Sequence, residues 1–163
     1  MGAAGRRRED HRLMAYAENT TVPFEKSVAE IIGLVRRAGA DQIGQMESRV
    51  SFTLQFTMAD RMVRFRVQFP DRAEIQRLTG PRSDPTRVEE QWRRQRGRAL
   101  LLVIKAKLES VESGVETFEQ AFLSNVVLAD GSTVYERVAA PIADEYKTGA
   151  PSVLLLKGPG EVQ

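Results

Sequence analysis

Between residues 50 and 69 the chain alternates apolar and polar side chains twice over, and few patterns restrict a fold more tightly. Val50, Phe52, Leu54, Phe56 and Met58 alternate with Ser51, Thr53, Gln55 and Thr57; Val63, Phe65, Val67 and Phe69 then alternate with Arg64, Arg66 and Gln68. A period of two places each apolar set on one face of a strand. Pairing Phe56 with Val63 brings the two apolar faces together and leaves Ala59-Asp60 as a two-residue loop. Ala-Asp lacks the Asn or Gly that a primed turn favours, so a wider loop stays open. The hairpin needs a layer to cover Phe52, Phe56, Phe65 and Phe69. It leaves Arg64 and Arg66 beside Thr53 and Gln55 on its solvent face.

Helical signals surround the hairpin. Residues 14–26 read as an extended lead-in containing Pro23. Ser27 with Glu30 has the spacing of a capping box; Val28, Ile31, Ile32 and Val35 form one helical face, and Gly39 stands where a helix stops. Asp71 and Glu74 open a short helix that Gly80-Pro81 ends. Asp84-Pro85 opens the longest one, with Trp92, Ala99, Val103, Ala106 and Val111 at helical spacing and an apolar run over Ala99–Ile104. Gly114 marks a break, Ser113 with Glu116 offers a new cap, and Val115, Phe118 and Phe122 continue an apolar face. Val126–Leu128 reads as a short strand turning at Asp130-Gly131. Thr133 with Glu136 caps a last helix bearing Val134, Val138, Ile142 and Tyr146, which Pro141 is expected to kink or split. The order is α+β: N-terminal helix, antiparallel hairpin, long central helix, short helix, short β segment and C-terminal helix. The expected division is an extension over residues 1–13, non-native or disordered, one domain over 14–149, and a loose tail from 150 holding the apolar stretch Val153–Leu156.

At 163 residues the chain can bury a core without disulfides or metal. It has no cysteine and one histidine, His11, so thiolate metal sites, cysteine nucleophiles and a histidine-based triad inside the domain are excluded. Neither a P-loop nor a dinucleotide-binding glycine fingerprint is present. The expectation is a non-enzymatic protein with no cofactor and no metal. Glu145-Tyr146-Lys147, with Asp130 upstream, has the E-x-K spacing of a nuclease motif, but it falls in a helix and reads as surface decoration. The longest apolar run is far short of the roughly 20 residues a membrane crossing needs, and no apolar segment follows Arg6-Arg7-Arg8. These absences point to the cytoplasm.

Charge is segregated. Residues 61–107 hold thirteen basic and five acidic side chains, whereas 108–163 hold three basic and nine acidic. The pI of 9.1 owes its excess to residues 1–13, which carry four Arg against Glu9 and Asp10. Met14 is a plausible alternative start, because codons for Arg8-Glu9-Asp10 can spell a purine-rich ribosome-binding sequence; the rival reading is a basic arm that grips phosphates. In the middle segment Arg87, Arg93, Arg94, Arg96 and Arg98 cluster at the start of the long helix. Arg64, Arg66, Arg93, Arg94 and Arg98 are the candidate phosphate ligands, as guanidinium groups suit bidentate contacts to DNA or RNA. Glu109, Glu112, Glu116 and Glu119 line one side of the helix if it continues through Gly114. Acidic residues near a helix C-terminus and arginines toward its N-terminus both oppose the macrodipole. Antiparallel self-association, pairing Arg94 and Arg98 with Glu112 and Glu116 of a second copy, would offset that.

Three segments, Met14–Thr20 (MAYAENT), Ala99–Phe122 (ALLLVIKAKLESVESGVETFEQAF) and Val126–Val134 (VVLADGSTV), together resemble a family of small bacteriophage and prophage proteins, from Met14 to about Ala150. Residues 71–84 depart from that pattern, and nothing is carried into them. The resemblance supports Met14 as the start. It implies a phage-derived intracellular origin and brings no activity and no catalytic residues. The resulting expectation is an accessory factor that contacts nucleic acid in phage DNA metabolism. The competing one is an inhibitor or adaptor acting on a host protein through its acidic stripe or its Val153–Leu156 tail.

Overall fold

The computed structural model describes residues 20–80 and 83–152; residues 1–13 and the Val153–Leu156 segment lie outside them. The paired strands are β2 (Ser51–Met58) and β3 (Arg61–Gln68), antiparallel and in the register the alternation predicts, with Phe56 opposite Val63. Their connection is the tight one. Ala59 and Asp60 both adopt left-handed backbone, with φ of 48° and 57°, as a two-residue primed turn requires. Neither residue favours that region, so hydrogen-bond register and the burial of Phe56 and Val63 enforce it.

A third strand, β1 (Asp41–Glu47), pairs antiparallel with β2, giving the sheet order β1-β2-β3. The sequence gives no alternation here because β1 is an edge strand. Its register shifts between Asp41 and Gly44, and Gln42 takes a positive φ of 48°.

One sheet face is covered by α1 (Phe24–Arg37) and α3 (Pro85–Glu112). The two helices run in the same direction: Phe24 and Ser27 meet Gly97, Glu30 meets Arg98, and Leu34 and Arg37 share a groove with Lys105 and Leu108. Their apolar stripes join Phe52, Leu54, Phe56, Val63 and Phe65 in one core. Each fully buried side chain of this size contributes roughly 1.5–3 kcal/mol.

Two helix readings shift. The capping box expected at Ser27 is absent: α1 begins four residues earlier, after Pro23, without a side-chain cap, and Ser27 is a buried small residue at the α3 contact. Phe24, expected in the extended lead-in, is core. On α3 the buried positions are Gly97, Leu100, Leu101 and Ile104 rather than the Ala99-Val103-Ala106 face, and Val103 is exposed. The run Ala99–Ile104 is apolar all round, so it does not itself reveal the buried face, which the close approach at Gly97 and the packing of Leu108 and Val111 mark.

The caps at Asp71 and Asp84 form as their local motifs dictate. Asp71 accepts from the Glu74 N–H at the start of α2 (Arg72–Thr79), and Asp84 accepts from the Thr86 N–H, with Pro85 in the first turn of α3. Gly114 ends the long helix with φ of 73°, but Ser113 is its C-cap and not a new N-cap. Thr117 and Gln120 form the capping box of α4 (Phe118–Phe122) instead, and Val115 stands 77% exposed.

After a 3-10 turn at Leu123–Asn125, Val126 bridges Val63 on the outer edge of β3, and Val127 bridges Thr133 across the Asp130-Gly131 turn. The final helix, α5 (Val134–Thr148), has the Thr133–Glu136 capping box and runs unsplit through Pro141, which is buried. Of its expected apolar face, Ile142 and Tyr146 are exposed. Among the described residues no helix is long and apolar enough to cross a membrane.

Candidate nucleic-acid interface

Strand register places Arg64 and Arg66 on the face of the sheet opposite the helices, in rows Gly44–Gln55–Arg64 and Met46–Thr53–Arg66, with Ser51–Gln68 beyond. These three rows hold two arginines, three short hydroxyl or amide side chains of β2, and no carboxylate; Asp41 stands in a fourth row, with Thr57 and Met62. Met46 is 73% exposed. The juxtaposition of Arg64 and Arg66 with Thr53 and Gln55 is as the alternation predicts.

The two arginines are not equivalent. Arg64 donates to the Gly131 carbonyl at 2.7 Å and pairs with Glu136 at 3.1 Å, so it braces β3 to the cap of α5. Glu136 in turn accepts from the Thr133 N–H. That bond, assisted by the Thr133 hydroxyl and Arg64, holds its carboxyl below the usual carboxylate range. Arg66 is exposed and pairs with no carboxylate among the described residues. With the Gln68 amide nitrogen donating to the Val50 carbonyl at 3.0 Å, its oxygen accepts from Arg66 Nε at 3.2 Å. Both terminal nitrogens of that guanidinium remain for a ligand.

The arginines of α3 are placed differently. Arg93 stacks 5.0 Å from the Phe24 ring centre and 4.5 Å from that of Phe69, pairs with Glu47 of β1, and keeps only 18% of its side chain exposed. It is a core-edge tie. Arg94 pairs with Glu90 at 3.3 Å and Arg98 with Glu30 of α1 at 3.5 Å. Arg96 lies over the Trp92 ring, and its Nε is buried without a hydrogen-bond partner among the described residues. Arg87 is exposed. Because α3 covers the inner face and Arg64 and Arg66 project from the outer one, the five candidate phosphate ligands do not form one patch.

The acidic residues also separate. Glu109 and Glu112 lie on the last turns of α3 and border a groove of about 530 Å³ floored by Leu34, Met58 and Phe122. Glu116 follows the helix end and accepts from the Ser110 hydroxyl; Glu119 sits in the first turn of α4. The stripe requires a helix continuous through Gly114, which the left-handed glycine prevents. Glu90 and Glu30 supply Arg94 and Arg98 with carboxylate partners inside the chain, which already offsets part of the macrodipole cost that the antiparallel pairing would relieve.

Glu145 and Lys147 lie on α5, where Glu145 accepts from the Ser152 N–H at 2.6 Å and Lys147 sits 3.8 Å from Asp144. Asp130 is engaged by the Ser132 hydroxyl and Arg137, which hold its carboxyl far below its ordinary range. Among the described residues no three His, Cys, Asp or Glu side chains converge to hold a metal ion.

Beside Arg66 the structure adds residues that no sequence pattern marks. A cleft of about 340 Å³ between β3 and the start of α5 is lined by Arg66, Gln68, Ser124, Asn125 and Tyr135, together with the paired Arg64 and Glu136. Asn125 donates to the Arg64 carbonyl at 3.2 Å, which fixes the 3-10 turn against β3. Tyr135 is 63% exposed. These positions are remote from β3 in sequence and belong to different local motifs, so only the tertiary fold assembles them. No family model, curated protein or solved structure matches the chain.

Proposed function

We propose that the chain is a non-enzymatic, phage-derived binding protein that contacts nucleic-acid phosphates from the outer face of its sheet. The observation that carries this reading is the set of three central rows containing Arg64 and Arg66, polar β2 side chains and no carboxylate. Glu136 of α5 balances Arg64, so the uncompensated positive charge that suits a polyanion is that of Arg66, set among neutral hydrogen-bonding groups. Arg66 is the principal phosphate ligand; Arg64 positions the surface, and Arg93 serves the core. The nucleic-acid role fits an accessory factor in phage DNA metabolism, and the resemblance of the long-helix segment to phage and prophage proteins fits action inside the host cell.

Fluorescence anisotropy with labelled single- and double-stranded DNA tests this, using the full chain carrying Arg6→Ser, Arg7→Ser and Arg8→Ser so that the basic N-terminus cannot supply the signal. The expected affinity falls log-linearly with salt, and Arg66→Glu abolishes it at moderate salt. Absence of binding at low salt overturns the reading.

The groove bordered by Glu109 and Glu112 supports a second reading, an inhibitor or adaptor that receives a basic, apolar segment of a host protein. That activity would survive Arg66→Glu and fail on Glu109→Lys with Glu112→Lys.

A further inference from the structure

Three features of the cleft beside β3 go beyond phosphate contact. Its charge is lopsided: Glu136 pairs with Arg64, so an anion is disfavoured there and directed to Arg66, whose Nε is already oriented by Gln68. On the α5 side stands Tyr135, a flat ring largely open to solvent although it belongs to a well-capped helix. Ser124 and Asn125 add a hydroxyl and an amide to the lining. The volume of about 340 Å³ lies at the small end of the range for sites that hold one compact ligand. The surface continues past Arg66 to Thr53 and Met46 of the same row, so a ligand entering the cleft can extend across the sheet.

Taking the proposed nucleic-acid reading as its basis, we infer that this cleft holds one unstacked nucleotide of a single strand, with its base against the Tyr135 ring and its phosphate on Arg66. A base inside a duplex presents its edges and not its face, so an aromatic platform beside a cation selects single strands. Stacking accepts any base, so the site is indifferent to sequence. Tyr135 is a binding residue here and Gln68 a positioning residue for Arg66.

The test compares the full chain with Tyr135→Ala, Tyr135→Phe and Gln68→Ala variants, all carrying the three N-terminal serine substitutions. The probes are a labelled oligothymidylate, the same length of duplex, and an oligonucleotide with abasic sites. Wild type should prefer the single strand, and Tyr135→Ala should weaken that binding about tenfold or more, the loss expected for one stacked base. Tyr135→Phe should stay within about twofold, since the ring and not the hydroxyl stacks. Wild type should bind the abasic strand about as weakly as Tyr135→Ala binds the normal one. Gln68→Ala should weaken both normal and abasic strands alike, because it acts through the phosphate ligand. Circular dichroism verifies that each variant is folded; should the alanine variant not fold, the wild-type comparison of normal and abasic strands decides the point without it. Equal, Arg66-dependent binding of single strand and duplex, or an unchanged Tyr135→Ala, overturns this inference while leaving phosphate contact standing. Failure of wild type to bind any probe at low salt overturns both.

Discussion

Substituting Gly97 by alanine sets two effects of known size against each other. In an exposed helix interior the change would stabilise by about 0.8–1 kcal/mol, because glycine is the freer residue in the unfolded chain. At Gly97 a Cβ would fall 2.7 Å from Phe24 Cδ2, 3.2 Å from Phe24 Cε2 and 3.4 Å from Ser27 Cβ. The first distance is inside any normal carbon contact, so something must move. The Phe24 ring is held edge-on by Phe52, with ring centres 5.1 Å apart, and by Phe69 at 5.6 Å, and Arg93 lies against it. Retreat of the ring therefore opens contacts on three elements, and overpacking of this kind costs roughly 1–3 kcal/mol. The net expectation is a loss of about 1 kcal/mol, or roughly 2–4 °C in Tm for a chain of this size. Gly33 supplies the control on α1: a Cβ there meets only the tip of Arg37, at 3.3 Å. Gly33→Ala should raise stability by about 0.5–1 kcal/mol. Thermal and urea melts of both variants read the difference. If Gly97→Ala raises Tm as much as Gly33→Ala does, the close approach of α1 and α3 is not a constraint and the reasoning fails.

Replacing Ala59-Asp60 by Asn-Gly, the pair a primed turn favours, should stabilise by about 1 kcal/mol without changing the denaturant m-value; an unchanged midpoint would show that the left-handed turn carries no cost. Arg93→Ala should cost about 1–2 kcal/mol in urea unfolding through lost stacking and ion pairing, with nucleic-acid affinity unaffected. Arg66→Glu should do the reverse, leaving stability within about 0.5 kcal/mol, so a variant pair that moves both quantities together contradicts the separation of roles. The carboxyls of Asp130 and Glu136 both titrate below their unfolded values, so what they contribute is complete above the ordinary carboxylate range and is lost as pH falls through it toward their folded values. Amide protection factors in α5, which correct for the intrinsic pH dependence of exchange, should fall below about pH 4 in wild type, and Glu136→Gln should remove part of that dependence.

The hairpin was legible because a period of two admits one assignment, and its register follows from aligning Phe56 with Val63. The caps at Asp71, Asp84 and Thr133 were legible because each is settled within four residues. Edge strand β1 was not: DQIGQME has Ile43 as its sole aliphatic branched residue and borrows its conformation from β2. Ser27 misled because a serine three residues before a glutamate reads as a cap, whereas here its small size is what α3 requires. For the site, the rows Thr53–Arg66 and Gln55–Arg64 came directly from the alternation. The ion pairs that engage Arg64 and Arg98 join residues 72 and 68 positions apart, a separation at which local spacing carries no information. Tyr135 entered the cleft for the same reason, through the bridge of Val126 to Val63.

The parallel run of α1 beside α3 also orders events in time. Two helices pointing the same way cannot be joined by a short turn, and here the three-stranded meander followed by α2 is the connector. Each strand pair closes over a few residues, while bringing Phe24 to Gly97 closes a loop of more than seventy positions. Chain entropy therefore favours the sheet as the early scaffold, on which α1 docks only after α3 has been made. Pulse-labelled exchange during refolding should find β2 and β3 amides protected before those of α1; simultaneous protection would place the helix pair in the nucleus instead.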